Sequence, residues 1–478
     1  MGSEGSSLKI LFFPFMAQGH ILPMVDMAKL FAARGVRATI LTTPANARLV
    51  GPSIKRPNEF EYKYPIELSL IPYPSAAVGL PEGCENVSSL PPTETSCDDF
   101  FVGCAMMRDA FDRVVRRLAP DCVVTDMFFP WTCDVASELG VPRLVFHGFS
   151  LFALSVYASL GCYKALKTLP ADEESFVIPG IPHRITMLRS QVADFGTSKG
   201  EMAKVVKQMN EADGKDFGVL VNSFYELEPD YVEHYRNVVG RRAWCIGPLS
   251  LCNSDIVEKS GRGNTTSVSQ DGCLNWLDGK SAGSVVYVCF GSMSNFSNAQ
   301  MHEIASGLEA SNYSFILVVR KDGDDWLPNG FEERVKEKGL IIRGWAPQIL
   351  ILNHTAVGGF LTHCGWNSSL EGISAGLPLI TWPLFAEQFY NERLIVCVLK
   401  IGVSVGVTEY RVIPEERLVV GATEIEKAVS SVMGDDEEAE ERRERARELG
   451  EAAKRAVDEG GSSYSDLDSL IQELMAMK

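Results

Sequence analysis

Hydrophobic positions along this chain follow two alternating rhythms. "LKILFFPF" (8–15) is an apolar run, the mark of a strand buried on both faces. "QGHILPMVDMAKLFAARG" (18–35) has helical spacing instead, with Ile21, Met24, Met27, Ala28 and Phe31 on one side and Gly35 closing it. "VRATILTT" (36–43) is the next strand, so the chain opens with a β-α-β unit. Strands recur at 121–129, 143–149 and 218–224 with helical segments between them. Such alternation predicts a parallel sheet covered by helices on both faces. The segment 249–272 is polar, rich in Gly, Ser and Asn, and has no apolar period, so it reads as a linker. Beyond it the alternation starts afresh, with strands predicted at 284–292, 314–320, 339–345, 357–365 and 377–384. The fold class is therefore α/β, as two similar domains in tandem, 1–248 and 273–457. A last segment, 462–478, places Leu467, Leu470 and Leu474 at helical spacing.

Composition narrows the function. The 478 residues exceed one ordinary core, in line with two domains. A net charge of −17 argues against a nucleic-acid partner, yet leaves room for a phosphate-bearing small ligand held at a helix N-terminus. The 12 cysteines form no C-x-x-C pair, and Cys122, Cys289 and Cys397 lie in apolar runs. That predicts a reducing compartment and no structural zinc. "MGSEGSSLKI" carries no secretory signal; it fits the loose myristoylation pattern but lacks a basic cluster or second anchor. A cytoplasmic protein with unmodified Asn-x-Ser/Thr triplets, such as that at Asn86, is expected. The most apolar stretch, 148–161, is shorter than the ~20 residues of a membrane span and reads as a buried helix. The charged run 434–456 reads as a solvated helix, Glu438–Arg442 and Glu441–Arg445 being i, i+4 pairs worth ~0.2–0.5 kcal/mol each.

"HCGWNSSLEG" (363–372) gathers polar side chains where a strand gives way to a helix. Asn367, Ser368 and Ser369 occupy the helix start, whose backbone N–H groups are free to meet an anion. His363, at the strand end, adds a donor. A well-capped helix with nothing bound explains the Asn-Ser pair equally well. The surroundings favour a ligand. Trp345 in "GWAPQ" offers a face to a planar base, and Gln348 can bond base or ribose. Glu371 in the first helical turn can accept from two ribose hydroxyls, as acidic residues do in dinucleotide folds. Glu387 and Gln388 stand side by side after the next strand, a grip for sugar hydroxyls.

From Trp345 to Gln388 the chain resembles the signature box of the plant family 1 UDP-sugar glycosyltransferases. It reads W-x-P-Q, then H-x-x-x-G-x-F-x-x-H-C-G-W-N-S, then E, G-x-P, and an acidic residue followed by Gln. The resemblance extends over the rest of the chain, including "FMAQGHILP". It implies a GT-B fold, two Rossmann-like domains with parallel sheets facing a central cleft, and a terminal helix (458–478) that packs back on the first domain. Trp345, with Ala346 beside it, would stack on uracil; Gln348 would bind the nucleoside and Glu371 the ribose. His363, Asn367 and Ser368 would hold the diphosphate, joined by Ser292. Trp366, Glu387 and Gln388 would face the sugar. Many relatives carry Asp at the position of Glu387. Gln388 goes with UDP-glucose as donor.

In the first half, His20 and Asp126 each follow a strand and should share one rim of the sheet. A His paired with a buried carboxylate is a general base held in one tautomer. The resemblance makes His20 that base and Asp126 its partner, in a metal-free inverting transfer that gives a β-glycoside. His147, also at a strand end, competes for the role. Gly19, Phe128 and His147 are candidates to line the acceptor pocket, with the loop 72–92. The Phe, Met and Leu residues there suit a flat or bulky apolar acceptor of flavonoid, triterpenoid or steroid type, and suit a packed core equally well. The expected partners are UDP-glucose and a small apolar acceptor, with no nucleic acid and no integral membrane segment; a monomer is favoured, and the sequence does not fix the oligomeric state. An NAD(P)-dependent oxidoreductase would need G-x-G-x-x-G after the first strand, where "FMAQGHILP" stands. A silent nucleotide-sugar sensor would keep the donor box and lack the base.

Overall fold

Branched and aromatic apolar runs form the strands of two separate sheets. The computed structural model describes residues 7–55, 62–91, 93, 95–163, 174–193, 200–253, 259, 270–320 and 326–478. The first sheet holds β1 (Lys9–Phe13), β2 (Arg37–Thr42), β3 (Glu67–Leu70), β4 (Cys122–Asp126), β5 (Arg143–Phe146), β6 (Gly218–Val221) and β7 (Ala243–Cys245). Its order is β3-β2-β1-β4-β5-β6-β7, and every pairing is parallel. The second sheet holds β8 (Val285–Cys289), β9 (Ser314–Val319), β10 (Gly339–Arg343), β11 (Val357–Thr362), β12 (Leu379–Thr381) and β13 (Gly402–Ser404). Its order is β10-β9-β8-β11-β12-β13, again parallel throughout. The two Rossmann-like α/β domains expected from the alternation are thus present.

Local chemistry trims the predicted strands. The run 377–384 contributes only Leu379–Thr381 to the ladder, because Pro378 and Pro383 on either side have no N–H to give. Three edge or near-edge strands, β3, β7 and β13, escape the hydrophobic pattern because they are three or four residues long. A small antiparallel hairpin, Ser175–Val177 with Thr186–Leu188, escapes it for the same reason.

Each sheet reverses its strand order at one point: between β1 and β4, and between β8 and β11. Connections leave such a point in opposite directions and open a crevice beyond the strand C-termini, the usual place for a ligand. His20 follows β1 and Asp126 ends β4. Gly291 and Ser292 follow β8, and His363 follows β11.

Six helices line the crevices or hold the domains around them: α1 (Gln18–Ala33), α2 (Leu151–Tyr163), α3 (Trp366–Ser374), α4 (Gln388–Arg393), α5 (Glu437–Val457) and α6 (Ser462–Ala476). α2 is the buried helix expected from 148–161, with Leu151 to Val156 all inside. α5 carries the expected Glu438–Arg442 and Glu441–Arg445 pairs at 2.7 and 3.1 Å. Its other face is small, with Ala446, Gly450 and Ala453 turned inward. A Cβ on Gly450 would come within 2.7 Å of the Gly376 Cα, so α5 runs backbone-to-backbone past the end of α3 and braces it. α6 leaves the second domain and inserts Leu467, Leu470 and Leu474 into the core formed by Ile10, Phe12, Ile21 and Phe31. Arg34–Asp468 and Arg236–Asp466 pairs, at 2.6 and 2.7 Å, fix it there.

Within the segment read as linker, Leu249–Cys252 make a 3-10 turn whose Leu249 joins that same core. Lys29 donates to Asn253 at 2.8 Å, and helix resumes at Gln270. Most of the rest of 249–272 lies outside the described residues. Among the described residues, no helix is long and apolar enough to cross a membrane.

Leu470 is fully buried between α6 and the first sheet. Leu470→Ala should lower stability by about 2–5 kcal/mol. Thermal unfolding would show a lowered midpoint; an unmoved one would mean that α6 is not docked in solution.

Candidate active site

On the first-domain side, His20 Nδ1 lies 2.8 Å from Asp126 Oδ2, with Asp126 wholly buried and His20 19% exposed. The other carboxylate oxygen accepts the Phe128 N–H at 3.1 Å. A carboxylate so fixed takes Nδ1–H and leaves the Nε2 lone pair for a ligand. Burial alone would lower the His20 pKa. The charge and hydrogen bond of Asp126, with a further contribution from Glu387, outweigh it and raise the value above 6.5. Phe15 and Phe128 flank the imidazole, ring centres 5.6 and 5.4 Å away. Gly148 approaches its third side: a Cβ there would lie 3.7 Å from His20 Cε1, and φ of +72° favours glycine in any case. His147 differs from His20. Burial lowers its pKa, and no carboxylate among the described residues hydrogen-bonds it. Val87 and Leu90, in the loop 72–92, pack against the cluster that contains Phe15, Phe100 and Phe101.

Across the cleft, two turns adopt left-handed backbone at residues other than glycine: Cys364 at φ +63° and Ala386 at +55°. Each costs roughly 1–2 kcal/mol, and each stands at a turn that carries a candidate site residue. Cys364 separates His363 from the start of α3; Ala386 directly precedes Glu387. The His363 ring is sandwiched between Gly291 and Gly365, where an added Cβ on either would collide with it. Its Nδ1 is buried and has no hydrogen-bond partner among the described residues. Burial and the nearby Arg320 charge bring its pKa down to about 4, so it is neutral and offers one N–H.

α3 begins after Gly365 with no side-chain cap. The Trp366 N–H bonds the Glu387 carboxylate, and the Ser369 N–H returns to Gly365 at 3.0 Å. The N–H groups of Asn367 and Ser368 have no partner among the described residues. Ser369 faces inward and is buried, so of the three polar residues at the helix start only Asn367 and Ser368 are partly open to the cleft.

Gln348 ties three neighbouring side chains together. Its Nε2 donates to Glu371 at 2.7 Å and to Ser368 at 3.2 Å, while its Oε1 accepts from the Tyr287 hydroxyl at 3.3 Å. Trp345 is partly exposed and Ala346 buried beside it. Gln388 Oε1 accepts the Leu384 and Phe385 N–H groups at 2.9 and 3.1 Å, which fixes the amide plane and turns Nε2 into its available donor. Glu387 is buried, and burial pushes its carboxyl up to about 7 against the pull of its N–H donors and of His20.

Trp366 ties the two domains together. Its ring is buried, and Nε1–H donates to the Asn222 carbonyl of the first domain at 2.7 Å. A large apolar ring with one polar atom satisfied is more stable in that interface than open to water. Three residues of the site were missed. Tyr287 reads as core. Asn222 is an unremarked polar residue after a strand. Arg320 directly follows β9, and that position was its one signal; it donates to the Ser292 carbonyl at 2.5 Å and lies 5.8 Å from the Trp345 ring centre. His354, by contrast, bonds Asp278 and accepts the Ala356 N–H at 3.2 Å. Among the described residues no three side chains cluster as metal ligands would.

Residues 257–435, which hold every candidate donor residue, match the family model described as UDP-glucoronosyl and UDP-glucosyl transferase. Over 471 residues the sequence is 50% identical to the scopoletin glucosyltransferase of Nicotiana tabacum, covering 98% of both chains. The chain belongs to the plant family 1 UDP-glycosyltransferases. Another relative of this UDP-glycosyltransferase is the anthocyanin 3'-O-beta-glucosyltransferase of Gentiana triflora, 47% identical over 98% of each chain. The crystal structure of Glycyrrhiza uralensis UGT73P12, complexed with glycyrrhetinic acid 3-O-monoglucuronide, superposes with a TM-score of 0.91 at 41% identity, covering 98% of this chain and 96% of that one. The UDP-glycosyltransferase therefore has the GT-B fold.

The glycine sandwich gives a test. Gly365 has φ of −60°, so alanine fits the backbone and the only conflict is with the His363 ring. Gly365→Ala should leave the fold intact and weaken UDP binding on the order of tenfold, ~1.4 kcal/mol. Calorimetric titration with UDP measures it; unchanged affinity would remove His363 from the donor site.

Proposed function

We propose that this UDP-glycosyltransferase moves glucose from UDP-glucose to a hydroxyl of a flat or bulky apolar plant metabolite, of flavonoid, triterpenoid or steroid type, in the cytoplasm. The observation that carries this reading is the His20–Asp126 pair at 2.8 Å, set at the switch point of one sheet and facing the α3 start at the switch point of the other. Base and leaving-group cradle then stand on opposite walls of one cleft.

The acceptor O–H gives its proton to His20 Nε2 as its oxygen attacks the anomeric carbon. The bond from that carbon to the UDP oxygen breaks from the opposite face, so an α-linked donor yields a β-glucoside. Asp126 stabilises the imidazolium that forms. The charge on departing UDP meets the Asn367 and Ser368 N–H groups, the N–H of neutral His363 and Ser292, a preorganised set that pays no reorganisation cost. Trp345, Gln348 and Glu371 hold the nucleoside. Glu387 and the Gln388 amide grip the sugar. No step is assigned to a metal ion. Glucose is supported by Gln388 and by the two relatives named glucosyltransferases. The acceptor class is supported by aromatic walls: Phe15 and Phe128 beside the base, and a Phe149–Tyr157–Tyr390 row with ring centres 5.8 and 5.0 Å apart.

The test is mass spectrometry with UDP-glucose and a panel of flavonoid, triterpenoid and steroid aglycones. A gain of one hexose is expected, reduced by 10²–10⁴ in kcat for His20→Ala. A product undiminished in that variant would move the base elsewhere, and UDP binding without any product would leave a nucleotide-sugar sensor.

The pH dependence has a definite sign. His20 acts unprotonated, and its pKa in the free enzyme is raised. The kcat/KM profile should therefore fall as pH drops through a value above 6.5. In Asp126→Asn both Asp126 contributions are lost and only that of Glu387 is left against burial, so the acid limb should move to lower pH while the rate falls. An unmoved limb would show that another group controls it.

A further inference from the structure

Asn222 follows β6 at the cleft edge of the first sheet and is buried. Its carbonyl accepts the Trp366 indole N–H at 2.7 Å. Its Nδ2 donates to Asn367 Oδ1 at 3.2 Å. Its Oδ1 accepts the Leu249 N–H at 2.9 Å, which holds the side chain in place from within its own domain. Gly247 makes room for it: a Cβ there would stand 2.5 Å from Asn222 Oδ1. Asn367 continues the chain of contacts, its Nδ2 donating to the Gly19 carbonyl at 2.5 Å. Gly19 is the residue before His20.

Three of these bonds cross between domains, and together they join the first two residues of α3 to the end of β6 and to the first turn of α1, which carries the base. Two properties make the connection directional. The Asn367 Nδ2 carries two N–H groups, so one can hold Gly19 while the other meets a ligand oxygen. Asn222 presents a donor to Asn367 and an acceptor to Leu249, which fixes its amide orientation; no apolar residue or carboxylate can make both contacts.

We infer that Asn222 is a positioning residue for glycosyl transfer. It sets the α3 start and the first turn of α1, which carries His20, in one register, so that base and departing diphosphate are placed together across the cleft. This rests on the function proposed above. A nucleophile and its activating group misplaced by about 1 Å can cost on the order of a hundredfold in rate, whereas the UDP cradle itself lies within the second domain.

The experiment compares wild type with Asn222→Ala and Asn222→Asp. Aspartate keeps the acceptor for Leu249 and loses the donor to Asn367. Three quantities are read: UDP affinity by calorimetry, kcat and donor KM with UDP-glucose and an aglycone turned over by wild type, and amide exchange of peptides covering 15–25 and 363–374. The expected result is UDP affinity within about threefold, kcat lowered roughly 10- to 100-fold with donor KM little changed, and faster exchange in both peptides. A kcat within threefold of wild type, unchanged exchange, or UDP affinity falling in step with kcat would overturn the inference. Should the alanine variant fail to fold, the aspartate variant decides. If wild type transfers glucose to nothing, the proposed function fails, and amide exchange alone then decides the role of Asn222.

Discussion

An open parallel sheet must leave a gap where its strand order reverses, and this molecule contains that gap twice. All else at the site depends on the two gaps facing each other. β1 and β4 deliver His20 and Asp126 to one; β8 and β11 deliver Ser292 and His363 to the other. No single loop has to be long or specially folded to bring the His20–Asp126 pair and the α3 start together. The sheets do it, and the loops only need the right residue at a strand end.

Burial then sets the chemistry on both walls. His20 and His363 are partly and Glu387 almost wholly withdrawn from water, yet they end in different states because their neighbours differ. Asp126 keeps the His20 imidazole basic, while His363, with only the Arg320 cation near it, is held neutral. Glu387 sits between ionised and protonated at neutral pH, its carboxyl bonded to the first N–H of α3 and felt by His20 across the cleft. Two histidines in one site thus end in opposite states, one with its basicity raised and one held neutral, on environment alone.

Much of this was legible in the sequence, for reasons that explain the remainder. The long central strands are apolar throughout and could be placed to within a few residues. β3, β7 and β13 could not, because three or four residues at a sheet edge carry no periodicity. His20 and Asp126 were visible as polar residues just past apolar runs. The bond from Trp366 to Asn222 was hidden because sequence shows that a ring is present and not which domain it faces. Asn222 and Tyr287 were invisible because one lies in an ordinary turn and the other in a strand. Arg320 stood in plain view at the end of β9 and was passed over, although position, the same signal that found His20, marked it.

α6 has a further meaning for how the molecule comes into being. Leu467, Leu470 and Leu474 complete a core whose other walls, Ile10, Phe12 and Phe31, lie more than four hundred residues earlier in the chain. During synthesis the first domain emerges with that side of its core uncovered. It stays uncovered while the entire second domain is made, since the helix that closes it is translated afterwards. The last fold-completing event for the half that holds the base is thus the arrival of a segment from the far side of its partner. Exposed apolar surface persists on the nascent chain for all of that interval.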